Sequence, residues 1–158
     1  MALNADPTPL PQAGWHQTFF DGFDGAYLDR AAWPVLPSGP ASNGAYSFVP
    51  QAVVEWAGEV AVNTFGGPAG WYSGAFQQGW NGQLYGRDEV RAAFDPGQGI
   101  TGAILLWPTD GSTRNEVDLI ESRNADRTLN ALSVHEGNTF ASQSFSYDAK
   151  QFHTYGLD

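Results

Sequence analysis

The sequence predicts an all-β sandwich or jelly roll. Its 158 residues contain 19 Gly and 10 Pro, and 14% of them are aromatic, which suits short strands joined by tight turns. No stretch of a dozen residues has the 3.6-residue apolar periodicity of an amphipathic helix. The length is that of one domain, so we predict a single domain over residues 1–158.

Short β-prone runs, separated by turn signals such as GWNGQ at 79–83 and DPGQG at 95–99, mark the predicted strands. We expect strands at 16–20, 46–49, 51–56, 59–63, 71–78, 84–94, 100–107, 115–121, 128–135, 139–145 and 151–157. Their spacing is typical of a two-sheet architecture.

Alternation within YGRDEVRAAF, residues 85–94, separates a charged face from an apolar one. Arg87, Glu89 and Arg91 share one face. The side chains on the opposite face, which we expect to be core, are Val90, Ala92 and Phe94. This charged face lines a groove, or else Glu89 and Arg91 form an ordinary exposed ion pair.

Charge and composition exclude several classes of partner. With 7 Lys+Arg against 17 Asp+Glu, the net charge is −10, which repels phosphate backbones and anionic membranes. There is no cysteine, so a disulfide framework and a thiolate site are excluded. The N-terminus has no basic region followed by an apolar core, and we expect no Sec-type signal. We predict no nucleic acid, no membrane and no obligate protein partner.

Residues 115–122 read NEVDLIES and contain three acidic side chains that are candidates for catalysis: Glu116, Asp118 and Glu121. In a regular strand, Glu121 would point away from the other two acids. A β-bulge near Leu119 or Ile120 would reset the alternation and return it to their face. Retaining glycosidases need two carboxyls about 5 Å apart, one ionised and one protonated. A third acid between them, Asp118, would push their pKa values apart.

NEVDLIES resembles the E-x-D-x-x-E signature of glycoside hydrolase family 16, in the bulged form of its laminarinase-like members. Other segments that resemble the family follow in its order: FFDGFDGAYLDRAAW (19–33), QAVVEWAGEVAV (51–62), YSGAF (72–76), YGRDEVRAAFDPGQGI (85–100), LSVHEGN (132–138) and FHTYGLD (152–158). The resemblance covers nearly the whole chain.

The resemblance implies a concanavalin A-like jelly-roll sandwich of two antiparallel sheets that cleaves β-linked polysaccharide with retention of configuration. It implies Glu116 as nucleophile, Asp118 as electrostatic assistant and Glu121 as general acid/base. It also matches Glu89 and Arg91 to positions that contact sugars. The chemistry needs no metal, and the structural calcium known in the family uses backbone oxygens that a sequence does not display.

His135 matches a histidine beside the family's catalytic strand and is either a site residue or a structural one. Residues 112–115 read STRN where the family commonly has a Trp-Pro pair that forms the floor for the sugar being cut. Trp107 is expected to replace that floor only by reaching over the cleft, or else to pack in the core. Arg114 suggests an acidic substituent on the substrate, although an ordinary surface arginine explains it too.

The family continues with further strands after the segment at which this chain ends, so we expect the jelly roll to be incomplete at its C-terminal end, with about two-thirds of the domain present. Two functions remain open: an endo-acting glycanase on β-1,3- or β-1,3-1,4-glucan or on a bacterial exopolysaccharide, and a lectin-like sugar-binding jelly roll. A purely structural sandwich would bind no sugar. Polysaccharide substrates favour an extracellular location.

Overall fold

The structure, a computed structural model, describes residues 14–79, 82–111 and 115–158. The chain divides into two compact units, Met1–Gly79 and Trp80–Asp158. Regular structure in the described residues is almost entirely β, with one short 3-10 helix at Pro50–Ala52. Among these residues, no helix has the length and apolarity needed to cross a membrane.

The first unit contains six strands within its described part. They are β1 (Gly39–Pro40), β2 (Tyr46–Phe48), β3 (Val53–Trp56), β4 (Glu59–Val62), β5 (Thr64–Gly67) and β6 (Gly70–Ser73). One sheet has the order β1-β2-β6-β5, and β3 pairs with β4 in a separate hairpin. The β2–β6 pairing is parallel, whereas the other strand pairings of this unit are antiparallel. The two strands meet at a distance in sequence, so no hairpin turn dictates their direction.

The predicted strand at 16–20 is wrong, because residues 16–20 have no strand structure. Phe19 packs edge-on against Trp33, with ring centroids 5.6 Å apart. Phe23 and Phe76 also pack on Trp33, and the Trp33 indole N–H donates to Asp21 Oδ2 at 2.7 Å. Aromatic packing without a backbone ladder therefore holds this segment. The β-prone aromatic composition produced the wrong prediction.

The second unit carries six strands in its described residues. They are β7 (Asp88–Ala92), β8 (Gly102–Leu106), β9 (Val117–Ser122), β10 (Leu129–Glu136), β11 (Thr139–Ser146) and β12 (His153–Leu157). Antiparallel pairing gives a four-stranded sheet in the order β11-β10-β9-β8 and a two-stranded sheet of β12 and β7. All the predicted strands after residue 80 exist here, with β7 shorter than the predicted 84–94.

An apolar cluster joins the two sheets of this second unit. Its buried members are Leu119, Ile120 and Tyr155. Other apolar side chains pack against it, among them Ala92, Phe94, Ile104, Leu106, Tyr147 and Leu157. Val90, predicted as core, is 40% exposed instead. The cluster occupies one face of β9, so the opposite face of that strand is available for polar side chains.

Candidate active site

A β-bulge in β9 places the three acids. Asp118 pairs with Ser133 of β10, and Glu121 pairs with Ala131, so two residues of β9 oppose one residue between these pairs. On the other side, Ile104 pairs with Ile120 and Leu105 with Asp118. Leu119 is therefore the extra residue, and the predicted bulge is confirmed.

The bulge returns Glu121 to the face of Asp118. Glu121 Oε2 accepts a hydrogen bond from Ser133 Oγ at 3.2 Å, and Ser133 is the ladder partner of Asp118. Glu116 precedes β9, and its carbonyl accepts a hydrogen bond from the His135 N–H at 2.9 Å. The strand therefore remains paired at Glu116, and by alternation its side chain joins the same face.

Asp118 is the buried centre of the three acids, with 4% exposure. The pKa of Asp118 is raised from 3.8 to about 6, chiefly by burial and then by the negative charges of Glu116 and Glu121, while His135 opposes the rise. A hydrogen bond with the Glu116 side chain also favours the protonated form. The arrangement can therefore hold a proton on a carboxyl group up to mildly acidic pH.

His135 joins the acids from β10. Its Nε2 lies 3.5 Å from Asp118 Oδ2, and its ring packs at a tilt on Phe140, with centroids 4.8 Å apart. Ligand atoms of Glu116, Asp118 and His135 lie within 4.8 Å of one another, which is close enough to hold a metal ion. Oxygen and imidazole donors of this kind suit a divalent transition metal.

Arg123 and Ser133 were missed by the sequence analysis. The Arg123 guanidinium donates to Glu121 Oε2 and forms an ion pair with it. Its Nη2 also lies 3.4 Å from Ser133 Oγ, which in turn lies 3.1 Å from Ser142 Oγ. The available signal was alternation, since Arg123 follows Glu121 by two residues and Ser133 precedes His135 by two.

Glu89 and Arg91 lie on β7, where they share a face as predicted. The Arg87 guanidinium donates to Glu89 Oε1 at 2.6 Å, and Arg91 stacks over the Phe152 ring at 4.4 Å from its centroid. The ion pair therefore joins Glu89 to Arg87, whereas the sequence suggested Arg91 as the partner, and Arg91 makes a cation–π contact. Their role as sugar contacts stays a prediction.

Trp107 directly follows β8 and is 36% exposed. Leu106 pairs with Val117, so continuing the register by one residue sets Trp107 opposite Glu116. Trp107 then shares a sheet face with Asp118. Its role as the floor for a sugar stays a prediction. Arg114 lies outside the described residues.

Comparison with known proteins gives both sequence and structural relatives. The chain is 38% identical over 80 residues to the endo-1,3-1,4-beta-glycanase ExsH of Rhizobium meliloti (strain 1021), a match covering 48% of this chain. It spans only 17% of that relative's length. No family model matches the chain.

The fold is that of solved laminarinases. The laminarinase catalytic domain of Thermotoga maritima MSB8 superposes with a TM-score of 0.73 and 16% identity, covering 90% of this chain and 69% of that one. SCLam, a non-specific endo-beta-1,3(4)-glucanase of family GH16, gives a TM-score of 0.74 and 25% identity, covering 87% and 62%.

The chain folds as an all-β jelly roll, which is the fold of the solved laminarinases with which it aligns. The resemblance to glycoside hydrolase family 16 is confirmed, and the proteins with which the chain aligns in structure are laminarinases and related endo-glucanases.

Proposed function

We propose that this chain carries the catalytic strand of an endo-acting retaining glycoside hydrolase that cleaves β-linked polysaccharide. The bulge at Leu119 is the observation that carries the proposal, because it gathers Glu116, Asp118 and Glu121 on one face of β9. The raised pKa of Asp118, caused first by burial and then by both glutamates, supports a shared function for the three carboxyls.

The proposed reaction is a double displacement. Glu116 attacks the anomeric carbon as a carboxylate, while Glu121 donates its proton to the departing glycosidic oxygen, so the C–O bond breaks as the glycosyl ester forms. Glu121, now ionised, then removes a proton from water, which attacks the same carbon and releases Glu116. Asp118, buried between them, hydrogen-bonds Glu116 and disfavours simultaneous ionisation of all three acids.

Substrate contacts are proposed for the groups around this face. Trp107 would offer an aromatic surface beside Glu116 for the C–H face of a sugar, and His135 would hydrogen-bond a hydroxyl. Glu89 and Arg91 would bind more distant sugar units. Arg114 would pair with an acidic substituent if the substrate carries one.

The substrate class is proposed as β-1,3-glucan, mixed β-1,3-1,4-glucan or a bacterial exopolysaccharide. The names of the relatives, an endo-1,3-1,4-beta-glycanase and an endo-beta-1,3(4)-glucanase, support this range. Such polymers lie outside cells, and we propose an extracellular site of action. We further propose that the reaction requires no cofactor, while a structural calcium of the family stays open.

The test is release of reducing ends from laminarin, lichenan and an acidic exopolysaccharide, together with ¹H NMR of the first product anomer. We expect release with a β-anomer formed first, and loss of at least 1,000-fold in Glu116→Gln, on the order of the loss from removing a nucleophile. Glu136→Gln, at the exposed end of β10, is the matched control and keeps full activity. Binding of the polymers without release in all three assays would establish the lectin-like alternative.

A further inference from the structure

Two side chains outside the acid trio converge on a single oxygen of Glu121. The Arg123 guanidinium and the Ser133 hydroxyl both donate to Oε2. Among the described residues, no hydrogen bond is recorded to Oε1. Arg123 and Ser133 therefore hold the Glu121 carboxylate through Oε2, and Oε1 lies on the opposite side of the carboxylate.

Ser133 is completely buried and belongs to a short chain of hydroxyls. Its Oγ lies 3.1 Å from Ser142 Oγ, and either oxygen can be the donor. Ser142 Oγ also donates to the Leu132 carbonyl at 3.2 Å. Hydroxyl groups rotate to suit their partners, so this chain can direct its hydrogens toward Glu121 or away from it.

We propose that Arg123 and Ser133 are positioning residues that clamp Oε2 of Glu121 and leave Oε1 to exchange the proton with the glycosidic oxygen and with water. This inference rests on the proposed acid/base role of Glu121. Arg123 fixes the side-chain rotamer of Glu121 through a charge-assisted contact with Oε2. Ser133 completes the clamp by donating its hydroxyl hydrogen to the same oxygen.

The clamp serves the two halves of the reaction differently. When Glu121 is ionised and acts as the base, Arg123 and Ser133 both donate to it, and Ser142 donates to Ser133. When Glu121 is protonated on Oε1, Ser133 can turn its hydrogen toward Ser142, which donates to Leu132. Both the Ser133 hydroxyl and the Ser142 hydroxyl therefore have a hydrogen-bond partner in either arrangement.

The charges around Glu121 come from three places. Arg123 directly follows β9, Asp118 lies on β9 and Glu116 immediately precedes it, and His135 approaches Asp118 from β10. The neighbouring residue of β8 at this level is the uncharged Ala103. Arg123 is thus the one cation in direct contact with Glu121 among the described residues, and its positive charge favours the ionised carboxylate.

The experiment compares Arg123→Met and Arg123→Lys with wild type on two substrates, lichenan and an aryl β-glucoside whose dinitrophenolate leaving group needs no proton. For Arg123→Met we expect kcat/KM on lichenan to fall roughly tenfold, the scale of a misoriented acid. The basic limb of its pH profile should also move to higher pH. On the aryl glucoside, kcat/KM should stay within about threefold of wild type, because that step bypasses the acid.

Arg123→Lys keeps the charge and should keep the pH limb near its wild-type position. Lys150→Met, which removes an exposed cation distant in sequence from β9, is the charge-matched control and should change neither substrate. An equal loss on both substrates, or an unmoved pH limb in Arg123→Met, would overturn the clamp. Ser133→Ala offers a second variant with little change in volume and the same expected preference for the aryl substrate.

A readout without turnover separates the two proposals. The ¹³C carboxyl resonance of Glu121 is compared at one pH in wild type and in Arg123→Met, and it should change position in the variant because the contact of Oε2 with the guanidinium is lost. If wild type hydrolyses neither substrate, the proposed function fails while this resonance still reports on the clamp. An unchanged resonance in a folded variant would overturn the clamp even if hydrolysis is robust.

Discussion

The imidazole Nε2 of His135 lies 3.5 Å from Oδ2 of Asp118, across the pairing of β10 with β9. His135 is the group that opposes the rise in the pKa of Asp118, while burial and the two glutamates raise it. The side chain of Asp118 is only 6% exposed. The cross-strand contact therefore moderates the cost of a buried carboxyl surrounded by acids.

Replacing Asp118 with Asn should reduce the amount of unfolding free energy that the protein loses between acidic and neutral pH. The pKa of Asp118 is raised to about 6 in the folded chain, chiefly by burial and then by Glu116 and Glu121, above its ordinary 3.8, so the folded state holds this proton more tightly than the unfolded state. That stabilisation is fully present below about pH 3.8 and is lost as pH rises through 6. Urea unfolding at pH 3.5 and 7.5 should show a smaller pH-dependent loss in Asp118→Asn, by on the order of 3 kcal/mol.

Asp126→Asn is the control of opposite sign. A hydrogen bond from the Thr128 side chain lowers the pKa of Asp126, so its contribution is present above the ordinary pKa and is lost as pH falls. This exposed group should produce a small change in the reverse direction. The same pH response in both variants would contradict the electrostatic account of Asp118.

Zinc ions should inhibit hydrolysis through the group formed by Glu116, Asp118 and His135, whose ligand atoms lie within 4.8 Å of one another. Zn²⁺ accepts carboxylate and imidazole ligands. A bound ion would coordinate the carboxylate of Glu116, the proposed nucleophile, and keep it from attacking the sugar. Initial rates on lichenan are measured against Zn²⁺ concentration. His135→Gln should raise the concentration for half-inhibition about tenfold, the scale of losing one metal interaction.

The matched control is His153→Gln. His153 lies on β12, where its ring contacts Tyr147 and Tyr155, so zinc inhibition should be unchanged in this variant. Equal inhibition of wild type and His135→Gln would show that zinc acts elsewhere.

The sequence predicted the strands of the second unit well because their alternation is strong and turn residues separate them. It also predicted a bulge near Leu119 or Ile120, since no regular strand puts Glu116 and Glu121 on one face, and the structure selects Leu119. Arg123 escaped because an arginine in a strand usually marks an exposed face. The register of Trp107 escaped too, since pairing between strands is a tertiary property that a single sequence does not display.

Arg127 should be required for stability of the second unit. Its guanidinium is part of a residue only 3% exposed and donates to backbone carbonyls of Asp95, Ile100, Ser122 and Asn124. Removing it leaves these carbonyl acceptors, one buried and three partly buried, without their donor, which costs about 3 kcal/mol. Urea unfolding of Arg127→Met should show this loss.

Arg127→Lys should lose nearly as much stability, because an ammonium group cannot reproduce the planar fork that reaches several carbonyls. Arg30→Met is the comparison, since that exposed guanidinium contacts one carbonyl, of Pro34, at 2.7 Å. If Arg127→Met loses no more unfolding free energy than Arg30→Met, the hydrogen bonds from Arg127 to the four carbonyls do not stabilise the unit.

Deleting Leu119 should preserve the site, whereas adding a residue nearby should destroy it. Without Leu119, regular alternation from Asp118 through Ile120 still brings Glu121 to the Asp118 face, and the ladder partners Ser133 and Ala131 need not change. An Ala inserted between Ile120 and Glu121 would instead turn Glu121 toward the core.

On lichenan, the deletion should retain measurable activity and the insertion should match Glu116→Gln. Leu119→Ala keeps the bulge and, from lost core packing alone, should cost about 2–3 kcal/mol in unfolding free energy. If the deletion is folded but as inactive as the insertion, the bulge does more than set the face of Glu121, and the alternation argument fails.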